Sequence, residues 1–103
     1  MKLPDDPFVL ELLPEFVDTW ICDIDEQYSK FVDEHNSQEL YRLAHTLKGS
    51  CFQFGLDDIA NLGIELMGYA KVGNWEKART LKEPIRNLFV EMRNFLVEKG
   101  IIQ

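Results

Sequence analysis

From Pro7 onward the chain consists of amphipathic stretches with apolar residues three and four apart, separated by short polar breaks, and no stretch shows the two-residue alternation of a strand. Asp6 before Pro7 marks a capped start, because a proline in the first turn lacks only an N–H that would have no intrahelical partner there. A short helix is predicted over residues 7–13. Pro14 is expected to end it or to open the next, since an interior proline removes a hydrogen bond and clashes with the preceding turn. The second helix is predicted over 14–34. In it Val17, Ile21, Ile24, Tyr28 and Phe31 recur on one side with Trp20 beside them. Glu15, Asp18, Glu26 and Asp33 lie on the opposite side, expected to face water as a solvated surface.

Asn36 to Glu39, "NSQE", reads as a capping box that opens a helix over 37–54, with Gly55 as its stop. Asp57 is expected to cap a fourth helix over 57–72, whose stripe is Ile59, Leu62, Leu66, Tyr69 and Ala70; "VGN" at residues 72–74 then supplies a break. The last helix, 75–99, carries Leu81, Ile85, Leu88, Met92, Phe95 and Leu96 and ends at Gly100, with Pro84 expected to kink it near Thr80. Four long stripes joined by short connections are buried together most simply in an all-α, up-down antiparallel four-helix bundle, with the short helix 7–13 as an addition at the N-terminus. One domain over residues 1–103 is expected, and Met1 together with the full set of stripes suggests a free-standing protein.

Composition narrows the function classes. With 18 acidic and 11 basic residues the net charge is −7, a poor match to phosphate backbones, so nucleic acid is not expected as a partner. The N-terminus lacks the basic and apolar segments of a secretory signal, and no window approaches the roughly 18 apolar residues of a spanning helix. A cytoplasmic protein without a membrane partner is the expectation. Cys22 falls on the acidic side of its helix and Cys51 on an apolar stripe, so the two are read as free thiols rather than a disulfide.

The stretch "AHTLKGSCFQFG", residues 44–55, then stands out. At about 100° per residue Leu40, Leu43, Ala44, Cys51 and Phe54 fall within about 60° of Leu47 and define a buried stripe. His45 and Gly49 lie about 160° from Leu47 in opposite senses, on an outer side shared with Arg42, Phe52 and Leu56. A glycine inside an exposed helix costs on the order of 1 kcal/mol relative to alanine, so it needs a reason. One turn after His45, its missing side chain leaves room for a phosphoryl group or another backbone. Lys48 can bring an ammonium within reach of an anion on the imidazole. A histidine is substantially unprotonated near neutral pH and can act as a nucleophile, so the trio fits a phosphoryl acceptor.

These residues, His-x-x-Lys-Gly-Ser with a glycine six positions after Gly49, resemble the signature of histidine-containing phosphotransfer (HPt) domains of two-component phosphorelays. The likeness extends through "FGLDDIANLGIEL" and "VGNWEKA" and covers residues 7–100. It implies a helical bundle with no kinase or ATPase activity of its own, carrying phosphate on His45 and exchanging it with aspartates of receiver domains. By the same likeness Lys48 supports the phosphoryl group, Gly49 keeps it accessible, Gly55 is the turn glycine and Ser50 a small packing position. The implied partners are receiver domains of response regulators or a hybrid sensor histidine kinase, met by a monomer. Phe52 and Gln53 depart from the small residues common there. Phe52, near Tyr41 and Leu56, is a candidate docking anchor, and Tyr41, Arg42, Phe52, Gln53 and Leu56 are the expected docking residues. Arg42 and Lys48 give this face a local positive bias suited to an acidic receiver site. No resident cofactor is expected; Mg²⁺ should come with the receiver.

Alternative readings are a bundle that binds a receiver or other regulator without transfer, and a metal-binding helical protein. The first would be signalled by loss of the histidine, which is present; the second would need His35, His45 and the cysteines to converge from different faces. His35 reads as a helix-ending residue favourable to the dipole, and Gly63 and Gly68 as sites of close helix contact, Gly68 facing outward beside Ile64.

Overall fold

The first two predicted helices form a single rod. In the computed structural model, which describes residues 6–100, α1 (Pro7–Asp23) continues through a π-helical segment (Ile24–Tyr28) into α2 (Ser29–Asp33). Asp6 caps it as expected, its side chain accepting from the Phe8 N–H at 2.9 Å. The break predicted at Pro14 is absent. Leu13 and Val17 on either side of Pro14 are wholly buried, and that packing outweighs a proline penalty of about 3 kcal/mol. At 1.5 Å per residue, residues 7–33 account for the molecule's long dimension of 40 Å.

The π-helical turn has a cause in the spacing of the apolar residues. Leu13, Val17, Trp20, Ile24, Tyr28 and Val32 are the buried positions, and the last three steps are all four residues long. In a regular α-helix each such step overshoots by about 40°, and three in succession would carry Val32 about 120° from Trp20. A turn bonded i to i+5 absorbs the excess and keeps the stripe on one face. Ile21 and Phe31, expected on the stripe, are consequently half-buried at its edges.

α3 (Ser37–Gln53), α4 (Asp57–Val72) and α5 (Trp75–Glu98) complete an all-helical bundle; α1 packs on α5, α5 on α4 and α4 on α3. Asn36 and Asn74 cap α3 and α5 through their side-chain oxygens, which accept from the Glu39 and Lys77 N–H groups. Leu56, not Asp57, occupies the cap position of α4, and Asp57 and Asp58 fall in the first turn, where the helix dipole favours acid. α5 runs through Pro84 without interruption. Its buried face is Ala78, Leu81, Ile85, Phe89, Met92 and Leu96, so Phe89 enters the core while Leu88 and Phe95 are half-buried. Phe16 of α1 stacks on Phe54 at 4.1 Å, joining α1 to the C-terminal end of α3.

The acidic side of the rod does not simply face water. Asp18, Asp25 and Asp33 pair with Arg93, Arg86 and Arg79 of α5 at 2.9, 2.6 and 2.7 Å. The arginines are seven residues apart; the aspartates are seven and then eight apart, and the longer step starts inside the π-helical turn, at Asp25, and runs through the rest of it. The hydrogen bond from Arg86, helped by Coulomb attraction from Arg86 and Lys82 against a desolvation penalty, holds the Asp25 carboxyl below its usual value. A depressed native value means that the unfolded chain takes up this proton first as acid is added. The contribution of Asp25 is therefore complete above about pH 4 and disappears as pH falls through the lowered native value. Asp25→Asn should lower the urea midpoint modestly at pH 7, both partners being partly exposed, and the difference from wild type should vanish in acid.

Candidate functional site

The site is assembled on the outer side of α3. Its buried side, Leu40, Ala44, Leu47 and Cys51, fixes the helix rotation, and that rotation turns His45 and Gly49 to solvent as the spacing predicts. Lys48 is half-buried one turn beyond His45. Among the described residues neither His45 nor Lys48 makes a side-chain hydrogen bond or ion pair, so the ammonium is available to an anion arriving at the imidazole. A Cβ placed on Gly49 would meet nothing within 4 Å. The position beside His45 is therefore open space, and packing within the fold does not require a glycine there.

The helix behind the site is held very close. A Cβ on Gly63 of α4 would lie 3.2 Å from the Ala44 carbonyl oxygen, 3.2 Å from the Lys48 nitrogen and 3.4 Å from the Lys48 Cα. All three are backbone atoms of the turn that carries His45, so Gly63 sets how α3 is seated. Its small size marks it in the sequence as a contact point, but which turn it meets follows only from the register of α3 against α4. Gly68 faces outward as expected, but a Cβ there would meet nothing within 4 Å, so the expectation of close helix contact holds for Gly63 and not for Gly68. Ile64, next to Gly63, is 46% exposed and lies outside the buried stripe of α4.

Four of the five expected docking residues are exposed: Tyr41, Arg42, Phe52 and Gln53. Phe52 is the most prominent apolar one on α3, at 44% exposure. Leu56 is a correction, because it is buried. α3 ends in a left-handed Gly55 with φ 75°; the Gly55 N–H bonds the Phe52 carbonyl and the Leu56 N–H the Cys51 carbonyl. That Schellman closure reverses the chain and draws the following residue inward, so the helical wheel no longer applies at Leu56. Arg42 lies 3.4 Å from Glu39, which offsets part of its charge and leaves Lys48 as the main source of positive bias.

The remaining candidate chemistry falls away from this face. Burial pushes the Cys51 thiol up to about 12, and a hydrogen bond with Glu26, reinforced by its charge, holds the exposed Cys22 thiol up as well. Neither is a ready nucleophile near neutral pH. His35 takes the left-handed position after α2, with φ 52°, and stacks flat on Trp75 at 5.0 Å and 3°. Among the described residues no group of three or more His, Cys, Asp or Glu is placed to hold a metal ion, and no helix is long and apolar enough to cross a membrane.

A family model for the Hpt domain matches residues 10–95, which include the whole of α3, α4 and the turns around them. No curated protein and no solved structure matches the chain. A match over most of the chain, together with an exposed histidine whose flanking lysine and glycine occupy the expected positions, leads to one conclusion: the chain belongs to the Hpt domain family.

Proposed function

We propose that this protein is a phosphocarrier that accepts a phosphoryl group on His45 from the aspartate of a receiver domain and returns it to another. Hpt domains serve phosphotransfer in two-component systems; they are phosphocarriers rather than kinases or ATPases, and they interact with receiver domains and kinases. The observation that carries the finer reading is the solvent-exposed His45, with the half-buried Lys48 one turn away and open space at Gly49.

In the proposed step an imidazole nitrogen uses its lone pair to form a P–N bond with the aspartyl phosphate. The P–O bond to the receiver's carboxyl breaks, and the carboxylate leaves with that electron pair. Transfer of this kind depends on in-line positioning and stabilisation of the equatorial oxygens, which Lys48 can support from one side. The Mg²⁺ that neutralises the remaining charge is proposed to be the receiver's, with no resident cofactor on this chain. Phe52, Gln53, Arg42 and Tyr41 form the proposed docking rim, engaged by a monomer. We place the exchange in the cytoplasm, where free thiols such as Cys22 and Cys51 persist.

The test incubates wild type and His45→Gln with a phosphorylated receiver and measures acid-labile, base-stable phosphate on the bundle. Wild type should label and the variant should not, with both melting alike because His45 is exposed. Equal labelling of both contradicts the role of His45. Failure of wild type with several receivers would favour an interaction module that binds without transfer.

A further inference from the structure

His45 has no hydrogen-bond partner among the described residues to orient its ring, although the hydrogen bond at one ring nitrogen commonly fixes how a functional histidine presents the other. The neighbour that faces its ring is Tyr41, one turn earlier on α3. The two ring centroids are 6.4 Å apart and the planes differ by 27°, an offset, near-parallel arrangement within the usual range for interacting aromatic rings.

Helix geometry explains the pairing. Side chains on a helix lean toward its N-terminus, so the imidazole of His45 leans over the turn that carries Tyr41. By the same rule a side chain at position 49 would lean over His45, and that is where the chain has glycine. The imidazole therefore has a wall on one side and an opening on the other. Tyr41 is itself 38% exposed, so its ring is partly seated on the bundle.

We infer that Tyr41 is a positioning residue for His45: its ring backs the imidazole and limits the rotations that would turn the attacking nitrogen away from the open side at Gly49. This rests on His45 being the phosphoacceptor, and it gives Tyr41 a task separate from contact with a docked partner. The hydroxyl is not required, because the contact is between rings. Phenylalanine should therefore substitute and alanine should not.

The experiment compares wild type, Tyr41→Phe and Tyr41→Ala with two donors, the small molecule phosphoramidate, which has no protein surface to dock, and a phosphorylated receiver. Side-chain couplings of His45 are read by NMR in the unphosphorylated proteins. Tyr41→Ala should lower the maximal labelling rate about tenfold with both donors, in line with the sensitivity of transfer to small misplacements, and average the His45 side-chain couplings toward free rotation. The receiver concentration at half-maximal rate should rise as well, because Tyr41 also belongs to the docking rim, so the phosphoramidate rate and the couplings, which no docking contact touches, separate the two roles; Tyr41→Phe should restore both. Two results overturn the inference: Tyr41→Ala reacting with phosphoramidate like wild type, or a defect confined to the half-maximal receiver concentration, which is the behaviour of a docking contact alone. Wild type that takes no phosphate from either donor sinks the phosphoacceptor reading and this inference together, whereas labelled wild type with an unaffected alanine variant sinks only the role of Tyr41.

Discussion

Gly63→Leu is expected to lower the stability of the bundle by about 3 kcal/mol, toward the upper end of the cost of forcing extra atoms into a packed interior. The position leaves little choice. Its first added carbon would already stand 3.2 Å from two backbone atoms of α3, and backbone cannot swing aside as a flexible side chain can. The rest of a leucine would have to push α3 away from α4 along the turn that carries His45 and Lys48. In a domain of this size the loss corresponds to a fall in melting temperature of roughly 15 °C, measurable by circular dichroism. A variant that melts with wild type would contradict the close seating of α3 on α4. Gly63→Ala should come out much nearer neutral, since alanine gains up to about 1 kcal/mol of helix propensity against a contact that is tight rather than impossible.

Gly49→Leu should do the opposite to stability and still damage function. Nothing stands within 4 Å of a Cβ at this exposed position, so the substitution should stabilise the helix by about 0.8 kcal/mol. A leucine there leans toward the preceding turn and covers the space beside the imidazole. Transfer from a phosphorylated receiver should fall about 100-fold, the scale expected when reacting atoms are held about an ångström too far apart. Denaturant melts and single-turnover labelling on the same preparation read the two effects separately. A variant that is stabilised and also transfers at the wild-type rate would show that the glycine has no part in access.

The contrast between these two glycines shows what could be read from the chain alone. Gly49 is interpretable from one helix, because the angle between His45, Gly49 and the Leu47 stripe follows from local geometry. The caps at Asp6 and Asn36 and the stop at Gly55 are local in the same sense, and each stands where its residue type predicts. Gly63 is different, since its neighbours Ala44 and Lys48 belong to another helix and depend on register.

The departures share a non-local origin too. Pro14 is a helix breaker judged by its own backbone, yet the burial of Leu13 and Val17 carries the helix through it. A strict α-helical period puts Phe31 on the stripe, whereas the π-helical turn places Val32 there. Asp18 and Asp33 look like a solvated face until α5 supplies Arg93 and Arg79 opposite them. A helical wheel puts Leu56 on the outer face, but the wheel stops applying once Gly55 turns the chain. Tyr41 reads as a docking residue by exposure, and only the ring geometry relates it to His45.

The central claim is that phosphate resides on His45, and the protein contains a natural internal control, because it has one other histidine. His35 is also exposed but sits in a left-handed turn stacked on Trp75, with no lysine and glycine arranged beside it on a helix face. The direct measurement phosphorylates the wild-type protein with a receiver, digests it without exposure to acid and locates the phosphoryl group by mass spectrometry. The added mass is expected on the peptide containing His45 and not on the peptide containing His35. Phosphate found on His35, or on any residue other than His45, would contradict the central claim.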